Sequence, residues 1–302
     1  VYRGKNKDVY ANGEDGLQRN LTNGITLEDY FGNAGYTVTP WHPEVQAANT
    51  NTVHQFLTDY PVDILFEDQI GARTWIYDLN PASPTPYAYM AGNTARAAED
   101  SVKIPLSTEN GYDRLANFEA QFCGLAWAIV PTPGAPDWRR FLTDRYLAST
   151  WRVFPVAQYI AHDKVLMNYN DLSATVDRHE VLAWTLGLGY GTTYRLYAPD
   201  LDIVAQRQWL LWVDRIQKSV CARYIGGGAK SFSHQWGSNV LHSVFTNGVV
   251  PADSQPVPDH GVITASYGDV SVTAHLGPNQ LTTNGVTLAS YGYLATAPGV
   301  VA

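Results

Sequence analysis

Apolar residues in this chain fall into short runs that end in polar or charged residues, and stretches of helical composition lie between most of them. The runs at 35–41, 62–68, 104–109, 124–130 and 164–169 read as strands, bounded as they are by Gly, Pro, Asn or Asp. The stretches at 52–58, 88–100, 113–122, 139–146 and 156–160 read as helices. An apolar run at 179–188 leads to Gly189-Tyr190-Gly191, and 204–224 has the amphipathic spacing of a long helix that stops at Gly226-Gly227-Gly228. Strands alternating with helices predict parallel βαβ units, and about six strand ends without a dinucleotide glycine fingerprint favour a β/α barrel over a Rossmann sheet. The expected fold class is therefore α/β, a (β/α)8-type (TIM) barrel that lacks its first strands in this chain.

Residues 1–32 are rich in Gly, Asn and Asp and read as an irregular excursion, so an N-terminal portion or a second chain would have to complete such a barrel. Beyond residue 228 the pattern changes to short alternating segments at 263–267, 270–275, 284–288 and 291–294, separated by turn residues. This predicts two domains, a barrel over 1–227 and a small antiparallel β-sandwich over 228–302.

With 302 residues and 45% hydrophobic composition the chain can bury a large core. It contains no uninterrupted apolar stretch of membrane-spanning length, so no membrane partner is expected. A formal net charge of −8, without a long Lys/Arg run, presents a repulsive average field to a phosphate backbone and argues against nucleic acid. The 9 Trp and 19 Tyr suit core packing and also stacking on sugar faces. Cys123 and Cys221 sit in apolar contexts without C-x-x-C spacing and read as buried thiols. Few Lys, many Asn, Thr, Tyr and Gly, and the sequon Asn20-Leu21-Thr22 point to an extracellular, secreted protein.

The chemistry concentrates at two strand ends. The run 62–68 finishes in Glu67-Asp68, the run 104–109 in Glu109, and a glycine-containing loop follows each, as at the catalytic end of β/α barrel enzymes. Asp68 and Glu109 supply the carboxylate pair that glycoside hydrolysis needs. Strand parity puts Ser107 and Glu109 on one face. It puts Glu67 and Asp68 on opposite faces, so only one of them can join Glu109. The competing roles are structural: a helix cap or a pair with Arg73 for Glu67 or Asp68, and a cap or a pair with Arg114 for Glu109. Trp41, His42, Glu67, Arg73, Trp75, Trp127, His162 and Tyr190 fall near strand ends or the loops after them and are the candidates to line a substrate cleft.

The segments Trp41-His42-Pro43, Asp68-Gln69-Ile70-Gly71-Ala72-Arg73 and Ser107-Thr108-Glu109-Asn110-Gly111-Tyr112-Asp113 resemble glycosidase-like proteins of the DUF6259 type, distantly similar to endo-α-N-acetylgalactosaminidases and α-amylase-like barrels. The resemblance covers roughly residues 35–197. It implies a TIM-barrel glycosidase with Asp68 as nucleophile on the fourth strand and Glu109 as general acid/base on the fifth. An α-linked substrate cleaved with retention is the corresponding expectation.

No metal site and no cofactor are expected: the 8 His are scattered, and no H-E-x-x-H occurs. A Ser-His-Asp hydrolase would want a G-x-S-x-G elbow, which Gly237-Ser238 lacks. The remaining alternative is a non-catalytic carbohydrate-binding or structural component, or a fragment of a larger multidomain protein.

Overall fold

The computed structural model describes residues 2–4, 13–30, 33–73, 76–125, 155–169, 172, 178–235, 261–283 and 285–302. The chain forms two compact units, Val1–Ala120 and Gln121–Ala302.

The first unit opens with an antiparallel sheet of β1 (Tyr2–Gly4), β2 (Leu27–Tyr30) and β3 (Asn33–Thr37), in the order β1-β3-β2. The run at 35–41, expected as a parallel barrel strand, thus contributes to a hairpin. Two residues separate β2 from β3, far too few for a parallel crossover, so Tyr30 pairs antiparallel with Asn33. Leu17, Val38 and Val45 form a small core beside this sheet. The buried Asn80 amide donates to the carbonyls of Asp15 (2.6 Å) and Leu17 (2.7 Å), fixing the loop above it.

Helix α1 (Pro43–Asp59) starts where Pro43 presets the first helical turn and His42 accepts the Glu44 amide through its side chain. It ends at Tyr60, immediately before Pro61. The chain then builds one β-α-β unit: β4 (Leu65–Glu67), α2 (Tyr89–Ser101) and β5 (Leu106–Glu109). Tyr89, Gly92, Asn93, Arg96, Ala97 and Asp100 are the buried residues of α2, a stripe at helical spacing. The two strands pair in parallel, with Leu65 opposite Leu106, Phe66 opposite Ser107 and Glu67 opposite Thr108.

The stretch 113–122, read above as a helix, forms only a 3-10 turn at Asp113–Asn117 before β6 (Glu119–Leu125). Turn residues 115 and 116 are buried, and the chain then alternates faces so that Phe122 is buried as well. Gly124, at φ +74°, sits where the register of β6 with its partner strand shifts.

In the second unit, β6 pairs in parallel with β7 (Leu166–Tyr169), which follows the short helix α3 (Val156–Ala161). Helix α4 (Arg178–Gly187) is buried on every side from Glu180 onward, as its continuous apolar run requires. Helix α5 (Val204–Ile216) continues through a π turn (Gln217–Cys221) into Ala222–Tyr224, matching the amphipathic span 204–224. The remaining strands are β8 (Ala229–Gln235), β9 (Val262–Tyr267), β10 (Val270–His275), β11 (Leu281–Thr283), β12 (Val286–Leu288), β13 (Tyr293–Ala297) and β14 (Val300–Val301).

Five of these form one antiparallel sheet in the order β14-β13-β10-β9-β8, and β11 and β12 form a separate two-stranded ribbon. One face of the sheet packs on α4: the Tyr267 hydroxyl donates to the Gly187 carbonyl (3.0 Å), and a Cβ on Gly187 would lie 3.2 Å from Ile263. The described C-terminal strands therefore form a sheet covered by a helix, where two packed sheets were expected. Because that helix precedes residue 227, the change of residue pattern there falls inside the second compact unit.

Parallel pairing within the units joins β4 to β5 and β6 to β7. Among the described residues this mixed α/β arrangement is not a closed ring of eight strands. No helix among them is long and apolar enough to cross a membrane. Cys123 and Cys221 are free thiols, the first partly buried and the second fully.

Gly189 follows α4 at φ +71°, and a Cβ there would meet His162 Nε2 at 2.6 Å and the Tyr267 ring at 2.8 Å. Left-handed backbone and a clash with two packed rings act together. Gly189→Ala should destabilise the second unit by about 3 kcal/mol or more, read as a lowered midpoint in urea unfolding at unchanged m-value.

Candidate active site

The register of β4 on β5 decides which carboxylates meet. One residue past the Glu67–Thr108 pair the two chains reach Asp68 and Glu109. Glu67 turns the other way, toward the C-terminal end of α2, where it hydrogen-bonds Asp100 and feels Arg96 and Lys103. Asp68 is the first residue past β4 and lies near enough to Glu109 for its charge to act there, and it lines a small crevice with Asn93 and Arg96 of α2.

The loops after the two strands are held against each other. The buried Thr108 hydroxyl donates to the Glu67 carbonyl (2.9 Å) and accepts the Gly71 amide (2.8 Å). Gly71 passes so close that a Cβ would lie 2.7 Å from the Glu109 carbonyl. Gln69 and Asn110, the residues immediately after the two carboxylates, both adopt left-handed backbone, at φ +66° and +57°. Non-glycine residues in that region are held by their surroundings, and such strain gathers at functional sites. The Gln69 amide also donates to Glu109 Oε2 at 2.8 Å. Burial first, and the Asp68 carboxylate second, hold the Glu109 carboxyl above the usual carboxylate range.

The other candidates have structural engagements. Arg73 grips the Glu28 carboxylate with both guanidinium arms, at 2.6 and 2.5 Å, and not Glu67 or Asp68. Its side chain also lines a small crevice with Asp68, Gln69, Ile70 and Asn93. Trp41 donates its indole N–H to the Ala88 carbonyl (2.8 Å) and lies against Gly92 of α2. His42 caps α1 and lines a cleft of about 650 Å³ with Asp15, Arg19, Asn23 and Asn80. His162 and Tyr190 are interior residues of the second unit. His162 is held between the carbonyls of Gly227 (2.6 Å) and Gly189 (2.7 Å) and stacks on Tyr267. Burial pushes the Tyr190 phenol up to about 12. Trp75 and Trp127 lie outside the described residues.

Gln69 and Thr108 escaped the sequence reading. Neither residue type announces a role, and only the backbone conformation and the loop contacts reveal one.

Behind the sheet lies a second carboxyl group pair of different character. Glu119 is 3% exposed, and neither of its oxygens has a hydrogen-bond partner among the described residues. Burial, and then the nearby Glu67, push Glu119 up to about 8. Burial, and then Asp100, push Glu67 up to about 7. Asp100 itself, fully buried, forms ion pairs with Arg96 (2.6 Å) and Lys103 (2.9 Å).

No family model and no curated protein sequence matches the chain. Its fold is shared with a solved glycosidase. The ligand-free α-N-acetylgalactosaminidase NagBb from Bifidobacterium bifidum superposes with a TM-score of 0.54 at 13% identity, covering 87% of this chain and 38% of that one. Its GalNAc complex gives 0.56 at 12% identity, with 87% and 38% covered. Its Gal-NHAc-DNJ complex gives 0.55 at 12% identity, with 92% and 40% covered. The chain thus spans about two fifths of the length of these solved structures.

Glu67 and Glu119 hold their protons to higher pH folded than unfolded. Their contribution to stability is complete below about pH 4.5 and is lost as pH rises through about 7 to 8. Thermal unfolding followed by circular dichroism should accordingly show a midpoint that falls between about pH 5 and about pH 9. Glu119→Gln should flatten that fall and make the chain more stable than wild type at about pH 8, by on the order of 1–2 kcal/mol.

Proposed function

We propose that this chain carries the catalytic carboxylates of a retaining glycosidase, with Asp68 as nucleophile and Glu109 as general acid/base. The observation that carries this reading is that Asp68 and Glu109 stand at the ends of two adjacent parallel strands, near enough for the Asp68 charge to act on Glu109, with their loops locked together through Thr108 and Gly71. Neighbouring strands lie about 4.8 Å apart, a spacing that suits the roughly 5–5.5 Å carboxyl separation of retaining enzymes.

In the first step an Asp68 oxygen attacks the anomeric carbon, the glycosidic C–O bond breaks, and the Glu109 proton passes to the departing oxygen. In the second, the Glu109 carboxylate takes a proton from water as the water oxygen attacks the same carbon, and the Asp68 carboxylate leaves. A Glu109 carboxyl held above its usual range by burial and by Asp68 is suited to keep the proton that the first step spends.

The shared fold with α-N-acetylgalactosaminidase structures makes α-linked N-acetylgalactosamine the first substrate to test. Val62, Ile64 and Phe66, in and just before β4, stay 38%, 42% and 50% exposed. Parallel barrel strands are apolar on both faces because both are covered. An N-terminal portion or a second chain that adds strands would cover these side chains and close the substrate cleft.

With 4-nitrophenyl α-N-acetylgalactosaminide, Asp68→Asn and Glu109→Gln should each lower kcat/KM, Asp68→Asn by about 10³-fold or more, with thermal midpoints close to wild type. Wild-type rates in both variants would sink the assignment. Glycan binding without turnover in the wild type would identify a non-catalytic carbohydrate-binding component instead.

A further inference from the structure

We propose that Gln69 is a positioning residue for the acid/base: its amide, aimed by a left-handed backbone, fixes the Glu109 carboxyl and stabilises the charge that forms there as the proton leaves. The proposal rests on the Asp68 and Glu109 reading above.

Gln69 is placed by three independent constraints. Its backbone holds φ +66°, a conformation that disfavours any residue with a Cβ by roughly 1–2 kcal/mol and that persists only when neighbours enforce it. Its carbonyl accepts the Arg73 amide (3.0 Å), and the Arg73 side chain is clamped by Glu28. Two residues on, the Gly71 amide is tied to Thr108 of β5. The result is a side chain that leaves the Asp68 loop, reaches across to the neighbouring strand end, and donates to Glu109 Oε2 at 2.8 Å.

An amide N–H can only donate, so Oε2 accepts from Gln69 and Oε1 is the oxygen left to carry the transferable proton. The bond is weak while Glu109 is neutral and about twice as strong once it is a carboxylate. It therefore strengthens along the proton transfer, which is the condition for lowering a barrier rather than merely binding a ground state. Among the described residues Asp68 is the charged group whose field reaches Glu109, and it acts in the opposite direction. Gln69 offsets that repulsion without adding a charge that would silence the nucleophile.

Two substitutions separate this role from a structural one. Gln69→Gly removes the donor while relieving the backbone, and Gln69→Glu keeps the shape while replacing a donor with a like charge. On N-acetylgalactosamine α-linked to serine, whose leaving oxygen needs a proton, both should lower kcat by about 10- to 100-fold with little change in KM. On the 4-nitrophenyl glycoside, whose leaving group departs as an anion, the change should stay below about 3-fold. Carbon-13 NMR of the Glu109 carboxyl, identified by its loss in Glu109→Gln, should show titration at higher pH in both Gln69 variants.

Equal loss on the two substrates, or an unmoved Glu109 titration, overturns the role of Gln69. If Asp68→Asn and Glu109→Gln are inactive in that event, the carboxylate pair stands without it. If those two variants keep wild-type rates, the pair itself has failed. The NMR titration reads the contact in the folded chain without turnover.

Discussion

The hydrogen-bonded register of β4 against β5 is the constraint on which the candidate site depends. With Glu67 opposite Thr108, the next residues out are Asp68 and Glu109, while Glu67 meets Asp100, Arg96 and Lys103 at the end of α2. A slip of one residue would exchange Glu67 for Asp68 and aim a different carboxyl at Glu109. The Thr108 hydroxyl opposes such a slip, because its two hydrogen bonds bind both the end of β4 and the loop beyond it. Gly71 allows the approach that makes those bonds possible, since any side chain there would strike the β5 backbone.

The first unit thus holds two carboxylate groups with different surroundings. Asp68 is exposed, and Glu109 is partly exposed and hydrogen-bonded by an amide. Glu67 and Glu119 lie near Asp100, Arg96 and Lys103 at the end of α2, and burial is the largest cause of the raised Glu67 and Glu119 carboxyls. Glu67 and Glu119 act on stability, as buried carboxyls that are costly to ionise. The exposed group has access to ligand. One fold with two such environments is how a protein assigns different tasks to chemically equivalent side chains.

Much of the layout was legible in residue pattern. The α2 stripe, the amphipathic span 204–224, the strands that became β9 and β10, and the two carboxylate-ended runs all follow from period and punctuation. The failures share a cause. A helix over 113–122 and a barrel strand at 35–41 were local readings, and each was overridden by pairing partners that period alone does not specify. His162 shows the same limit in chemistry. A histidine near a predicted strand end looks like a ligand, yet two carbonyls and a tyrosine ring enclose it within the second unit.

By itself the sequence determined which segments could be strands or helices, that Asp68 and Glu109 end two successive apolar runs, and that a glycine-containing loop follows each of them. These are properties of neighbouring residues, set by side-chain period and by intrinsic backbone preference. Only the tertiary structure decided that Glu67 is engaged by Asp100, that Arg73 is committed to Glu28, and that Gln69 is bent into a left-handed conformation to reach Glu109. Register, burial and enforced strain arise from contacts between residues some forty positions apart, and no local preference of a glutamine or a threonine encodes them.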